Sequence, residues 1–176
     1  IVTVGRLDRV KNHELLIRAY ARLVAEYPKV VLRIYGDGEN RENLEQLISD
    51  MQLEKKVFLE GNCNTVAETI IKSKIFALSS DMEGMPNALL EAMSLGLAVV
   101  STDCPCGGPR TVIRNGENGL LVPVNDVDAM EQAFRQILEN PELEEMLGKN
   151  AAKLGEELAP DKVNRMWMEY IEQGMK

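Results

Sequence analysis

The sequence predicts an α/β protein: a Rossmann-like, doubly wound parallel sheet of about six strands that ends in a helical tail. Three observations carry this. Short β-branched runs alternate with amphipathic stretches of helix length along most of the chain. The runs Val30–Tyr35, Phe58–Leu59 and Ala98–Val100 lack clean polar alternation, as strands covered on both faces do. Glycines and small polar residues follow the strand-like runs, where the loops of such a sheet turn. A length of 176 residues with 45% hydrophobic content fits one domain able to bury a sizeable core.

Taken in order, "IVTVG" is a β-branched run closed by Gly5. The spacing of Leu16, Tyr20, Leu23 and Tyr27 predicts a helix over His13–Tyr27, with Asn12 as its N-cap and Pro28 after its end. "VVLRIYG" is the second strand, and Leu44, Leu47, Ile48 and Met51 mark the second helix. "VFLEG" follows as a strand, then a helix carrying Val66, Ile70 and Ile71. "IFALSS" precedes a helix over Pro86–Leu95, with Pro86 in its first turn and Gly96 in the stop position. "AVVSTD" and the short "GLLVP" complete the strands. Helices are then predicted from Asp126 to Leu138, from Pro141 through Leu154, and beyond Pro160 with Val163, Met166, Trp167, Tyr170 and Ile171. We expect a ligand-binding domain over residues 1–159 and a C-terminal helix over 160–176. Because the chain opens on a strand with no leader, it reads as a piece of a longer protein.

A net charge of −8 argues against a nucleic-acid partner, which would want a basic face. Three cysteines, Cys63, Cys104 and Cys106, do not suggest a disulfide framework, and we expect reduced thiols. A zinc site would need ligands that the lone His13 does not supply. No signal peptide or membrane-length apolar run is visible, so the expected location is the cytoplasm.

Ligands of open α/β sheets bind beyond the carboxyl ends of the strands. Those loops read Gly5-Arg6-Leu7, Gly36-Asp37-Gly38, Gly61-Asn62, Ser79–Asn87 and Thr102–Arg110. Arg6 and Lys11, ahead of a helix N-terminus, suit a diphosphate, although two solvated surface cations would read the same way. Gly36 and Gly38 allow close backbone approach to a ligand, or form a plain turn, since the third glycine of a dinucleotide fingerprint is missing.

"EGMPNALLEAM" holds two glutamates, Glu83 and Glu91. Ala88, Leu89, Leu90, Ala92, Met93 and Leu95 surround Glu91, which predicts a mostly buried helix. A buried carboxylate needs partners, and ligand hydroxyls, backbone amides or a lysine would each serve. "DVD" at Asp126–Asp128 could pass for a metal-binding pair, but it opens a helix and reads as capping.

"GRLDRVKN", "GDGEN", "EGMPNALLEAMSLGLAVVSTDCPCGGPR" and "NGENGLLVP", in this order and spacing, resemble the C-terminal, donor-binding domain of the retaining GT-B glycosyltransferases of family 4. The resemblance covers about Val2 to Val124. It implies one half of a GT-B fold, with the N-terminal acceptor domain lying outside this chain. It further implies that Arg6 and Lys11 grip the donor diphosphate, that Glu83 contacts the transferred sugar, and that Glu91 binds the nucleotide ribose. The loops at Gly5, Gly36, Gly38, Gly61 and Asn62 would border the donor, and backbone groups of Met85, Asn87 and Ala88 would help hold sugar and phosphate. Many members have Phe-Gly where this chain has Met85-Pro86, and proline removes one amide donor.

The activity implied is transfer of a sugar from a nucleotide-sugar, UDP favoured, to an acceptor hydroxyl with retained configuration, in polysaccharide or glycoconjugate synthesis. The nucleotide-sugar is a substrate; no cofactor and no metal are expected. An acceptor glycan or lipid-linked glycan, and any peripheral association with the inner membrane face, would come through the missing half. Rival readings are a GT-B-like sugar-nucleotide epimerase and a non-catalytic doubly wound domain that binds nucleotide or protein.

Overall fold

The computed structural model describes residues 1–174. Strands β1 (Val2–Val4), β2 (Leu32–Tyr35), β3 (Val57–Gly61), β4 (Ile75–Leu78), β5 (Ala98–Thr102) and β6 (Leu120–Val122) form one sheet. All pairs are parallel, in the order β3-β2-β1-β4-β5-β6. β1 is paired on both sides: Val2 stands beside Arg33 of β2 and Phe76 of β4. The strand order therefore reverses between β1 and β4, the place at which open α/β sheets bind ligands.

Both sheet faces are covered, which is why the strands read as unbroken apolar runs. In β4, Ile75 and Ala77 enter one core cluster and Phe76 and Leu78 the other. Successive side chains of a strand point to opposite faces, so both must be apolar. The first face is covered by α1 (His13–Ala21), α2 (Arg41–Asp50) and α6 (Val127–Glu139), through residues such as Leu16, Tyr20, Leu44, Met130 and Phe134. The second is covered by α3 (Val66–Ile70), α4 (Asn87–Ser94) and the later turns of α7 (Pro141–Glu157), through Ile70, Leu89, Met93, Ala151 and Leu154.

Four expectations from sequence need correction. The first helix ends at Ala21 rather than Tyr27. Past it, the amides of Arg22 and Leu23 bond three residues back, to Ala19 and Tyr20, so the chain tightens into turns. Leu23 still reaches the core from those turns, and Tyr27 packs against it, which is why the helical spacing ran on. Pro86 is the extended N-cap of α4 (φ −78°, ψ 101°), not its first helical residue. A one-turn helix, α5 (Gly108–Val112), lies where only loop was expected. It was too short to show a period. Finally, Glu91 is exposed, whereas the wheel of apolar neighbours predicted burial. α4 is only two turns long and buries just Leu89, Ala92 and Met93; Ala88 and Leu90 are half-exposed beside Glu91.

Other punctuation stands where it was expected. Gly96 ends α4 with φ +77°, a conformation that side chains disfavour. Asn12 and Asn140 cap α1 and α7 through their side chains. Asp126 accepts from the amide of Ala129 at 2.8 Å, the capping role read for "DVD". Asp128 of the same motif pairs with Arg22. The C-terminal helix, α8, runs Pro160–Gly174, and the rest of the predicted span, Met175 and Lys176, lies outside the described residues. Met166, Trp167, Met168, Tyr170 and Ile171 on α8 are exposed, Trp167 by 61%. Among the described residues no helix is long and apolar enough to cross a membrane. Cys63 is half-buried, Cys104 buried and Cys106 exposed, and all three are free thiols.

Candidate active site

The edge at the β1–β4 reversal gathers three of the charged residues that the sequence singled out, Arg6, Lys11 and Glu83. Arg6 and Lys11 come from the loop after β1, and Glu83 from the loop after β4. Although 72 positions apart, Lys11 Nζ and Glu83 Oε1 form an ion pair between the two loops. Both are shielded, with side chains 22% and 11% exposed. The Ser80 hydroxyl donates to the same Glu83 oxygen at 2.7 Å. A carboxylate this enclosed needs such donors, because unpaired it would carry a heavy desolvation cost.

Arg6 behaves differently. Its side chain is 82% exposed and, among the described residues, its ion-pair partner is Asp8, at 2.9 Å. Asp8 also accepts from the backbone amide of Lys11 at 3.0 Å. The site thus holds a shielded cation paired with Glu83 and an exposed one paired with Asp8.

Backbone and side-chain ties fix these two loops to each other. The amide of Asp81 donates to the carbonyl of Val10 at 2.8 Å, and the Ser79 hydroxyl to that of Lys11, also at 2.8 Å. Asn12 sits in the left-handed region (φ 44°), and its amide group donates to Asp81 and to Asn125, each at 2.8 Å. One asparagine therefore links the loops after β1, β4 and β6. The Thr102 hydroxyl donates to the carbonyl of Ser80 at 2.5 Å. α5 presses against the Glu83 loop so closely that a Cβ on Gly108 would overlap the carbonyl of Gly84.

The loop after β2 joins the same edge. Gly36 (φ +139°) passes so near the carbonyl of Gly5 that only glycine fits, and a Cβ on Gly38 would meet the Leu7 backbone. The close approach that these glycines permit is thus to the β1 loop itself. Leu7 donates to Asp37 at 3.0 Å, and Gly36 to Gly61 at 2.7 Å. Gly61 and Asn62 lie at the end of β3, on the outer side of this stack.

Met85, Asn87, Ala88 and Glu91 lie on the β4–α4 connection and along α4, with Met85, Asn87 and Glu91 exposed. Among the described residues Glu91 makes no side-chain hydrogen bond. The first turn of α4 leaves free amides, because Pro86 carries none and the first intrahelical bonds run from Leu89 and Leu90 to the Pro86 carbonyl.

Sequence reasoning missed Asp8, Ser80, Gly108 and His13 in this region. Ser80 carried one signal, a polar Ser79-Ser80-Asp81 run directly after a wholly buried strand. His13 is 2% exposed, and its Nε2 lies 3.2 Å from the carbonyl oxygen of Arg6. Burial pushes its pKa down to about 4, and the Lys11 charge works in the same direction.

Residues 1–154 match the family described as Glycosyl transferases group 1. An N-acetylgalactosaminyltransferase of Campylobacter jejuni, whose name specifies an N-acetylgalactosamine-N,N'-diacetylbacillosaminyl-diphospho-undecaprenol acceptor, is 41% identical over 153 residues. That match takes in 87% of this chain and 40% of the relative, so the chain spans well under half the length of that protein. Among solved structures, a point mutant of S. aureus TarM, crystallised with UDP, fondaparinux and α-GlcNAc-glycerol, superposes with a TM-score of 0.88 at 26% identity, over 96% of this chain and 34% of TarM. The C-terminal domain of a glycosyl transferase group 1 protein from Francisella tularensis shares the fold, with a TM-score of 0.78 at 22% identity over 89% of this chain and 84% of that domain.

Proposed function

We propose that this chain, which belongs to the glycosyl transferases group 1 family, is the donor-binding domain of a retaining glycosyltransferase that uses a UDP-sugar. Residues 1–159 would form the nucleotide-sugar unit, and the acceptor half would lie in the portion of the relatives that this chain does not span. The observation that carries the reading is the Lys11–Glu83 pair at the strand-order reversal, with Arg6 exposed beside it. A shielded cation and an exposed one on the same edge offer an incoming diphosphate two charge-assisted partners. UDP as the carrier is supported by its presence in the TarM complex.

In this reading Arg6 and Lys11 bind the diphosphate, Glu83 takes hydroxyls of the sugar, and Glu91 takes the ribose diol. The loops at Gly5, Gly36, Gly38, Gly61 and Asn62 border the nucleotide. Free amides at Asn87 and Ala88 meet sugar or phosphate beside Met85. The acceptor oxygen attacks the anomeric carbon from the side on which the diphosphate departs. The bond from sugar to phosphate breaks, the bond to the acceptor forms, and the acceptor proton passes to the leaving phosphate oxygen. Arg6 and Lys11 meet the charge that grows on the diphosphate, so the reading calls for no metal and no cofactor. Cell-surface polysaccharide or glycoconjugate synthesis is the setting that the Campylobacter relative suggests.

Thermal unfolding with UDP, GDP and ADP and their sugar conjugates tests the reading. A ligand at about 100 times its dissociation constant adds about 2.7 kcal/mol of stability. UDP and UDP-sugars are expected to raise Tm most. No shift with any nucleoside diphosphate at millimolar concentration would overturn the proposal.

A further inference from the structure

One buried titratable side chain beside the site meets none of the diphosphate, sugar or ribose. His13 opens α1 directly after the Arg6–Lys11 loop, and nearly all of it is enclosed. Its Nε2 faces the carbonyl oxygen of Arg6, an atom that can only accept. The ring is neutral at physiological pH, since burial and the nearby Lys11 outweigh Asp8 and the carbonyls of Gly5 and Arg6. The proton must then sit on Nε2, which leaves Nδ1 as a buried acceptor with no partner. An unpartnered buried nitrogen is a cost. Leucine would fill the volume without it. What the imidazole adds is hydrogen bonding to the backbone of this turn, chiefly to the Arg6 carbonyl.

That bond lands on a carbonyl that also accepts from the amide of Asp8, at 2.9 Å. Two donors on one carbonyl fix the peptide plane after Arg6. The arginine side chain itself is solvent-exposed and, among the described residues, paired with Asp8. The direction in which it leaves the backbone is therefore set by the turn, and the turn is held from beneath by His13.

We propose that His13 is a positioning residue: through its hydrogen bond to the Arg6 carbonyl it fixes the turn that aims the Arg6 guanidinium at a bound nucleoside diphosphate. This rests on the reading that Arg6 meets the diphosphate. The test is calorimetric titration of the 176-residue chain with UDP and with uridine, across His13→Leu, His13→Asn, His13→Gln, Arg6→Ala and the double variant Arg6→Ala/His13→Leu. Glutamine can place an amide N–H near the Nε2 position, whereas asparagine and leucine cannot.

His13→Leu and His13→Asn are expected to lose about tenfold in UDP affinity with little change for uridine, and His13→Gln to recover most of that loss. The His13→Leu effect should vanish once Arg6 is alanine, because a residue acting through another couples fully to it. UDP binding at the parent affinity by a folded His13→Leu or His13→Asn variant overturns the proposal, as does an effect that persists without Arg6. If Arg6→Ala itself binds UDP like the parent, the assignment of Arg6 falls, and the role of His13 falls with it. Should the leucine variant not fold, the asparagine variant, checked by circular dichroism, decides.

Discussion

The Lys11–Glu83 pair makes opposite demands on its two members, and that difference can be measured. Both side chains are shielded, and Glu83 is also held by Ser80 at 2.7 Å. A diphosphate arriving at this edge takes a charge-assisted bond from Lys11, which must turn away from Glu83 or be shared with it. Lys11→Ala deletes that bond. Hydrogen bonds to charged groups contribute about 1.5–3 kcal/mol, so UDP affinity should fall roughly 10- to 150-fold. Uridine lacks the phosphates and should bind as before. Glu83→Gln removes the competing charge and keeps the shape. It should bind UDP at least as tightly as the parent, while a UDP-sugar gains less over UDP than it does in the parent. Calorimetry with uridine, UDP and a UDP-sugar reads all three. A folded Lys11→Ala variant with parental UDP affinity would falsify the reasoning. A Glu83→Gln variant that loses UDP and UDP-sugar equally would refute the division of labour.

Further outcomes follow from other parts of the structure. Glu91→Gln should weaken UDP about tenfold but leave 2′-deoxy-UDP nearly unchanged, since a charged acceptor for the diol is lost; equal losses for both would remove Glu91 from the ribose. His13, neutral when folded with a pKa near 4 against an ordinary 6.5, contributes stability that is fully present above pH 6.5 and is lost as pH falls toward 4, on the order of 3 kcal/mol. Urea unfolding across that window should show the slope in the parent and a flatter one in His13→Gln. Gly36→Ala places a methyl group against the Gly5 carbonyl at φ +139° and should cost on the order of 1–3 kcal/mol or more, read as a fall in the urea midpoint. Phe134→Ala, deep in the first core cluster, should cost about 3–5 kcal/mol without changing UDP affinity after correction for the unfolded fraction.

Much of this architecture was legible because the signals are local. Buried strands such as Ile75–Leu78 announce themselves as apolar runs, and α6 and α7 carry a plain helical period with caps at Asp126 and Asn140. The edge on which the chemistry gathers follows from the strand–helix alternation alone. Local signals also misled. The apolar period ran through Leu23 and Tyr27 although the helix had already ended, because tight turns can deliver the same side chains to the core. The wheel around Glu91 counted apolar neighbours but could not count helix turns packed against the sheet, and the glutamate is exposed. Contacts between distant positions were out of reach. Lys11 meets Glu83, Gly108 meets Gly84 and His13 sits under Arg6 only because the sheet brings their loops together.

The most direct test of the account is a crystal structure of this chain soaked with UDP. The diphosphate is expected where the β1 and β4 loops meet, within hydrogen-bond distance of both Arg6 and Lys11, with Lys11 turned at least partly from Glu83 and the ribose hydroxyls at Glu91. Ordered UDP at any other place on the molecule, with the Lys11–Glu83 pair intact and Arg6 in solvent, would contradict it.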